Sequence, residues 1–201
     1  MRFNKISKDA FEQIQANAGM LLKSFDPANP TFTDENIITA TSGGIKADCV
    51  PTYSDWGEDI DNVSNNMKEF KNLDGWESTL GFTALGTSPE MIRLALGAAD
   101  IDGNKITPRS RLKQTDFSDI WWVGDRVDGG FVACVLRNAL STGGLSLQTS
   151  KNSKGQLSVT LTGHVSAENQ DEMPMDFYSV EPEASEPQTF SLKKDDTPEE
   201  Y

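Results

Sequence analysis

Apolar and polar positions along this chain alternate in short segments separated by turn residues. The clearest segment spans 156–170 and reads QLSVTLTGHVSAENQ. Leu157, Val159, Leu161, Val165 and Ala167 fall on one face with Gly163 between them. Ser158, Thr160, Thr162, His164 and Ser166 fall on the other. A period of two with β-branched residues predicts a strand with one buried face. The second face is unusual, because a solvent face normally carries Lys, Glu and Arg and this one carries small neutral polar groups. The same face recurs over 75–86, where Trp76, Leu80, Phe82 and Ala84 oppose Glu77, Thr79, Gly81 and Thr83.

Other segments have their own signals. Residues 36–50 read as two strand pieces meeting at Ser42-Gly43-Gly44. Residues 118–140 read as a hairpin turning at Asp128-Gly129-Gly130, and 145–149 as a further strand before a turn over 152–155. Two segments have helical spacing. Over 9–25, Phe11, Ile14, Ala18, Leu21, Leu22 and Phe25 recur at helical intervals, with Asp9 and Glu12 placed for a cap, Gly19 in the middle and Asp26-Pro27 at the end. Over 88–97, Ser88 is placed for N-cap, Pro89 for the first position and Gly97 for the stop. Asp102-Gly103-Asn104 marks a turn, and 105–115 is basic and exposed. Together these predict a mainly β (α+β) chain, a β-sandwich or partial barrel with one or two flanking α-helices.

Residues 51–74, PTYSDWGEDIDNVSNNMKEFKNLD, form a polar stretch too long for a tight turn. Tyr53, Trp56 and Phe70 argue against simple disorder, and a loop of this length is usually functional. After Val180 the composition changes. Residues 181–201 carry seven acids, two lysines and three prolines, which predicts a solvated tail beyond a domain over 1–180.

Composition narrows the function. A net charge of −13 argues against phosphate neutralisation and against docking on an anionic membrane. No run approaches the roughly 20 apolar residues of a membrane span, and 1–13 has no signal-peptide core, so synthesis in the cytoplasm is expected. Cys49 and Cys134 lie in strand-like runs and read as small buried hydrophobes, with a disulfide left open. His164 is the only histidine and reads as a solvent-facing strand residue. Ser110–Lys113 matches S-x-x-K, but Ile120 stands where S-D-N needs Asn. Asp100 opens a calcium-loop pattern, but Lys105 stands where Gly is needed and Arg111 where Glu is needed. No catalytic group, cofactor or metal site is expected.

Several stretches, taken in order, resemble a known family. NAGMLLKSFDP leads to GGIKADCVP, then to the long loop, to LDGWESTLGFTALGTSPEMIRLALGAAD, to a late hairpin and to MPMDFY. This sequence of stretches is similar to the major tail (tail tube) proteins of long-tailed, non-contractile phages and prophages of Gram-positive bacteria, over residues 9 to about 180. The resemblance implies a β-sandwich fold shared with contractile-phage tubes and the type VI secretion tube. It implies a structural virion protein, assembled in the host cytoplasm as stacked hexameric rings whose inner sheets join into one β-barrel. Its implied partners are copies of itself, a tape-measure protein, and tail terminator and distal tail proteins, with double-stranded DNA passing without specific binding. On this reading Glu77, Thr79, Thr83, Ser158, Thr160 and Thr162 line the lumen. Tyr53, Asp55, Trp56, Glu58, Asp59, Asp61, Lys68 and Phe70 form the loop that reaches a neighbouring ring and orders on it. The alternative is a β-sandwich binding or adhesion module, which would present Tyr53, Trp56, Trp121 and Trp122 from one loop cluster.

Overall fold

The structure, a computed structural model, describes residues 6–7, 10–151 and 153–182. Its strands are β1 (Met20–Leu22), β2 (Thr41–Asp55), β3 (Lys71–Ala84), β4 (Ala99–Asp102), β5 (Lys105–Pro108), β6 (Ser118–Asp125), β7 (Phe131–Ser141), β8 (Ser146–Ser150), β9 (Ser153–Thr162) and β10 (Met175–Val180). The single α-helix among the described residues, α1, spans Pro89–Leu96. The architecture is mainly β and sandwich-like, with one flanking helix. One layer runs β1-β6-β7-β10 and the other β2-β3-β9-β8, antiparallel throughout.

The core follows from the alternation. Leu80, Phe82 and Ala84 of β3 and Leu157, Val159 and Leu161 of β9 face Leu21, Ile120, Cys134, Leu136 and Met175 of the opposite layer. The odd–even pattern of β9 ends at Thr162, however. Residues 163–170 leave the strand, and Val165 is 47% exposed. A side chain at Gly163 would lie 2.7 Å from Leu136.

β7 belongs to both layers. It pairs with β6 and β10 along most of its length, then Leu140 and Ser141 pair with Thr162 and Leu161 of β9. It turns at Asn138, whose φ of +45° lies in the left-handed region that Asn tolerates better than most residues. Asp119 Oδ1 accepts the Asn138 N–H at 2.9 Å, and Asn138 Nδ2 donates to the His164 carbonyl at 3.0 Å. His164 Nδ1 lies 3.1 Å from the Asn138 carbonyl, which can only accept, so that nitrogen carries the proton. His164 is therefore a half-buried clamp on this bend rather than a solvent-facing strand residue.

α1 forms as its caps require. Ser88 Oγ accepts the Met91 N–H, and Gly97, at φ +75°, closes the last turn. The helix buries Met91 and Ala95 fully, whereas Ile92 and Leu94 are only half covered.

The helix predicted over 9–25 is absent. Residues 8–9 lie outside the described residues, and from Ala10 the chain makes a turn and then runs extended into β1. Gly19 has φ +71°, and a Cβ there would lie 2.4 Å from Trp122 Nε1. Asn17 Oδ1 accepts the Gly19 and Asp125 N–H groups, and Trp122 Nε1 donates to the Ala18 carbonyl. These side-chain bonds give the backbone a non-helical partner set. Leu21 and Leu22 are both fully buried although adjacent in sequence. A strand puts them on opposite faces. Leu21 enters the core, and Leu22 shares its face with Trp121 in an outer aromatic layer of Phe25, Trp121, Phe131 and Tyr178.

The β4–β5 hairpin is tied down by charge. The Asp116 side chain is fully buried, bonded to the Arg109 guanidinium and to the Lys113 N–H. Asp100 holds Arg109 Nε at 2.9 Å and Lys113 Nζ at 3.0 Å. Burial pushes the Asp116 carboxyl up, but the Lys113 N–H and Arg109 outweigh it and hold the group below its ordinary value. A depressed folded pKa contributes stability above the unfolded pKa of about 3.9, and that contribution is lost as pH falls through the folded value. Asp116→Asn is expected to cost about 1–3 kcal/mol at pH 7, because Arg109 loses the buried one of its two charged partners. The deficit should shrink below about pH 4, where Asp116 of the unfolded wild-type chain takes up its proton while the folded one still holds its charge. Urea titrations at pH 7 and pH 3 check this, and an equal deficit at both would contradict it.

Candidate functional site

All six residues predicted for the small polar face do share one face. Thr79 opposes Thr162, Gly81 opposes Thr160 and Thr83 opposes Ser158 across the β3–β9 ladder. Glu77, Ser158 and Thr160 are exposed, and Thr79, Thr83 and Thr162 are half exposed. Thr142 Oγ1 and Thr162 Oγ1 are 2.8 Å apart, which extends the hydroxyl row toward β7.

Sequence reading missed what β2 adds. Lys46 opposes Gly81 and Asp48 opposes Thr79, so both stand on the polar face. The signal was present in Ile45, Ala47 and Cys49, whose alternation puts Lys46 and Asp48 on the far side. The reading of this face as small and neutral is therefore corrected. Lys46 is there, paired to Asp48 at 2.7 Å. Across the registers Ser42–Val50, Glu77–Thr83 and Ser158–Thr162, one cation meets two acids, Asp48 and Glu77, for a net of 1 − 2 = −1. Lys154 stands beyond, near the β8–β9 turn.

Both edges of this sheet are open. Among the described residues β2 pairs only with β3, and β8 pairs only with β9. β2 is 15 residues long. Its two sequence pieces join into one strand through a bulge at Gly43 and Gly44, with φ of +78° and +82°. A long unprotected edge is a site for pairing with another chain.

The predicted loop over 51–74 is shorter than expected, because strand pairing continues into both of its ends. Tyr53 opposes Leu73 and Asp55 opposes Lys71. The result is an arm, a two-stranded ribbon with a tip over 56–70. Past Cys49 and Ser78, whose Sγ and Oγ are 3.4 Å apart, the ribbon leaves the core. Its apolar side chains are therefore uncovered. Trp76 is 38% exposed, Leu73 47% and Tyr53 59%. Trp76, expected on the core face beside Leu80, lies beyond the core's end.

The tip is held from within. Asp55 accepts the Gly57 and Asn66 N–H groups at 3.0 and 2.9 Å and meets Lys71 Nζ at 3.4 Å. Those two backbone bonds hold its carboxyl below the ordinary value. Gly57 is buried against Val63 and the Phe70 ring, where a Cβ would sit 3.1–3.2 Å from both. Phe70 thus belongs to the tip's own small core. Trp56, at 68% exposure, does not, and Glu58, Asp59, Asp61 and Lys68 are also exposed.

The two cysteines are free and sit in different layers. Burial pushes the Cys134 thiol up to about 11.

These features define a β-sandwich with one polar, open-edged sheet and a projecting arm. No protein-family model matches the chain, and no curated protein matches its sequence.

Proposed function

We propose that this chain is a tail tube subunit, polymerising as stacked hexameric rings into a hollow tube that conducts DNA during ejection. The observation that carries the reading is the sheet β2-β3-β9-β8, apolar on its core face, small and polar on the other, and unpaired at both edges among the described residues. A free monomer gains nothing from that combination. In a ring, the β2 edge of one subunit meets the β8 edge of the next and the sheet closes head to tail.

The dimensions fit. Six copies of a four-stranded sheet give about 24 strands, a circumference of about 115 Å at about 4.8 Å per strand, and about 37 Å between facing backbones before strand tilt widens the barrel. Small Ser, Thr and Gly side chains would leave most of that width open. A near-neutral, slightly acidic lining would not retain phosphates. The implied partners are further copies, a tape-measure protein, and terminator and distal tail proteins, in a virion tail.

The adhesion reading is weaker. Trp121 is packed between Phe25 and Tyr178, and Trp122 donates to Ala18, so neither joins Tyr53 and Trp56 in a loop cluster. Negative-stain microscopy of the concentrated purified protein tests the proposal. Long hollow filaments of uniform bore are expected, and a protein that stays monomeric at every concentration and salt tried would refute it.

A further inference from the structure

A cleft of about 610 Å³ lies between α1, the turn over 34–38 and the ends of β6 and β7 where the two layers meet. Its floor is apolar, made by Ile38, Leu94, Ile120 and Leu140, with the exposed Ile37 at its edge. Its rim is acidic. Asp34, Glu35 and Glu90 stand there without a cation of their own among the described residues. Two cations are also present. Arg93 is occupied by Asp116 and the Thr115 carbonyl, and Lys23 remains. An apolar floor under an acidic rim fits an extended segment that alternates apolar and basic side chains.

The chain carries one such segment. Residues 1–8 read MRFNKISK, with Arg2, Lys5 and Lys8, no acid, and Phe3 and Ile6 between the cations. In a protein of net charge −13 this run is distinctive. The other basic run, over 105–113, has Arg109 and Lys113 already engaged with Asp100 and Asp116.

In its own subunit the segment enters from the far end of β6. The Ser7 carbonyl accepts the Ala10 N–H, the Glu12 carbonyl accepts that of Asp128, and the Ile14 carbonyl accepts that of Val127. The last two bonds tie Glu12 and Ile14 to the β6–β7 turn. The cleft is at the opposite end of β6, beside Ser118 and Ile120. The seven residue steps from Asp125 to Ser118 cover about 23 Å. Phe3 lies nine residues before Glu12, so only a nearly straight chain of about 30 Å would bring it back to its own cleft, and the Ser7–Ala10 turn shortens that reach.

We propose that the cleft takes the basic N-terminal segment of a second copy of this chain, with Phe3 or Ile6 on the apolar floor and Arg2, Lys5 and Lys8 against Asp34, Glu35 and Glu90. This adds a subunit contact separate from the sheet edges and the arm. It needs two copies that touch, not a tube. Linked copies in a sample without filaments would leave it standing while the tube reading fell. Filaments without the link would do the reverse.

The test is cysteine crosslinking in full-length chains that all carry Cys49→Ser. Chains bearing only Phe3→Cys are mixed under mild oxidation with chains of different tag length bearing only Lys23→Cys, at the cleft rim. A disulfide-linked heterodimer is expected, with about tenfold more product than when the partner carries Ala167→Cys on an exposed loop, because docking raises the local thiol concentration. Reversing Arg2, Lys5 and Lys8 to Glu should reduce the product to the Ala167→Cys level. Equal products from both partners would overturn the inference. So would a Phe3→Cys/Lys23→Cys double variant that closes within one chain at high dilution.

Discussion

Replacing 56–70 with an Asn-Gly turn is expected to leave the sandwich folded and to abolish filament growth. Asp55 and Lys71 are already paired, so a two-residue loop can join them in register. The tip packs Gly57, Val63 and Phe70 on one another and contributes nothing to the main core, so the far-ultraviolet circular dichroism and urea midpoint should change little. What is lost is Trp56, exposed at the end of an arm. Buried aromatic anchors at interfaces carry about 2 kcal/mol or more, and 1.4 kcal/mol is a factor of ten. Trp56→Ala alone should therefore raise the concentration at which filaments form by about tenfold or more. Normal filaments from the shortened protein would remove the arm from the contact between rings.

The second large effect is expected from Thr160→Lys with Thr162→Lys. Both side chains point away from Leu157, Val159 and Leu161, so folding and assembly should persist. Each subunit would add two cations to a stretch of the face that now holds one, Lys46, paired to Asp48. In particles carrying the variant, ejection should slow by on the order of tenfold and recover as salt is raised, since phosphate attraction is screened. Thr160→Glu with Thr162→Glu should not slow it. Equal rates for the Lys and Glu variants would mean that this face does not meet DNA.

The sandwich and its polar face were legible because alternation is a local property. β3, β6, β7 and β9 each carry their inward residues in sequence, and α1 carries its own caps. Three things were not legible. The segment over 9–25 has helical spacing, yet Gly19, Asn17 and Trp122 hold it extended. Those contacts span more than a hundred residues and leave no periodic trace. Asn138 bends β7 without glycine or proline to mark it. The arm was read as a loop because its strands carry polar residues and its apolar ones, Tyr53, Leu73 and Trp76, face no core. On the polar face, Lys46 and Asp48 were readable from the alternation of Ile45, Ala47 and Cys49, but two charges inside a neutral pattern look like an ordinary surface.

A strand common to two layers has a mechanical consequence. β7 is laced to β6 and β10 over most of its length and to β9 at its end, so the layers cannot slide past each other like sheets of paper. Tension applied to the polar layer enters β7 and travels along the backbone into the aromatic one. The strand leaves its extended course at Asn138, and flexing between the layers concentrates there. Asp119 and His164 brace that joint from either side. A cylinder built from such units would bend by small rotations at these joints, leaving the hydrogen-bond ladders of its wall intact.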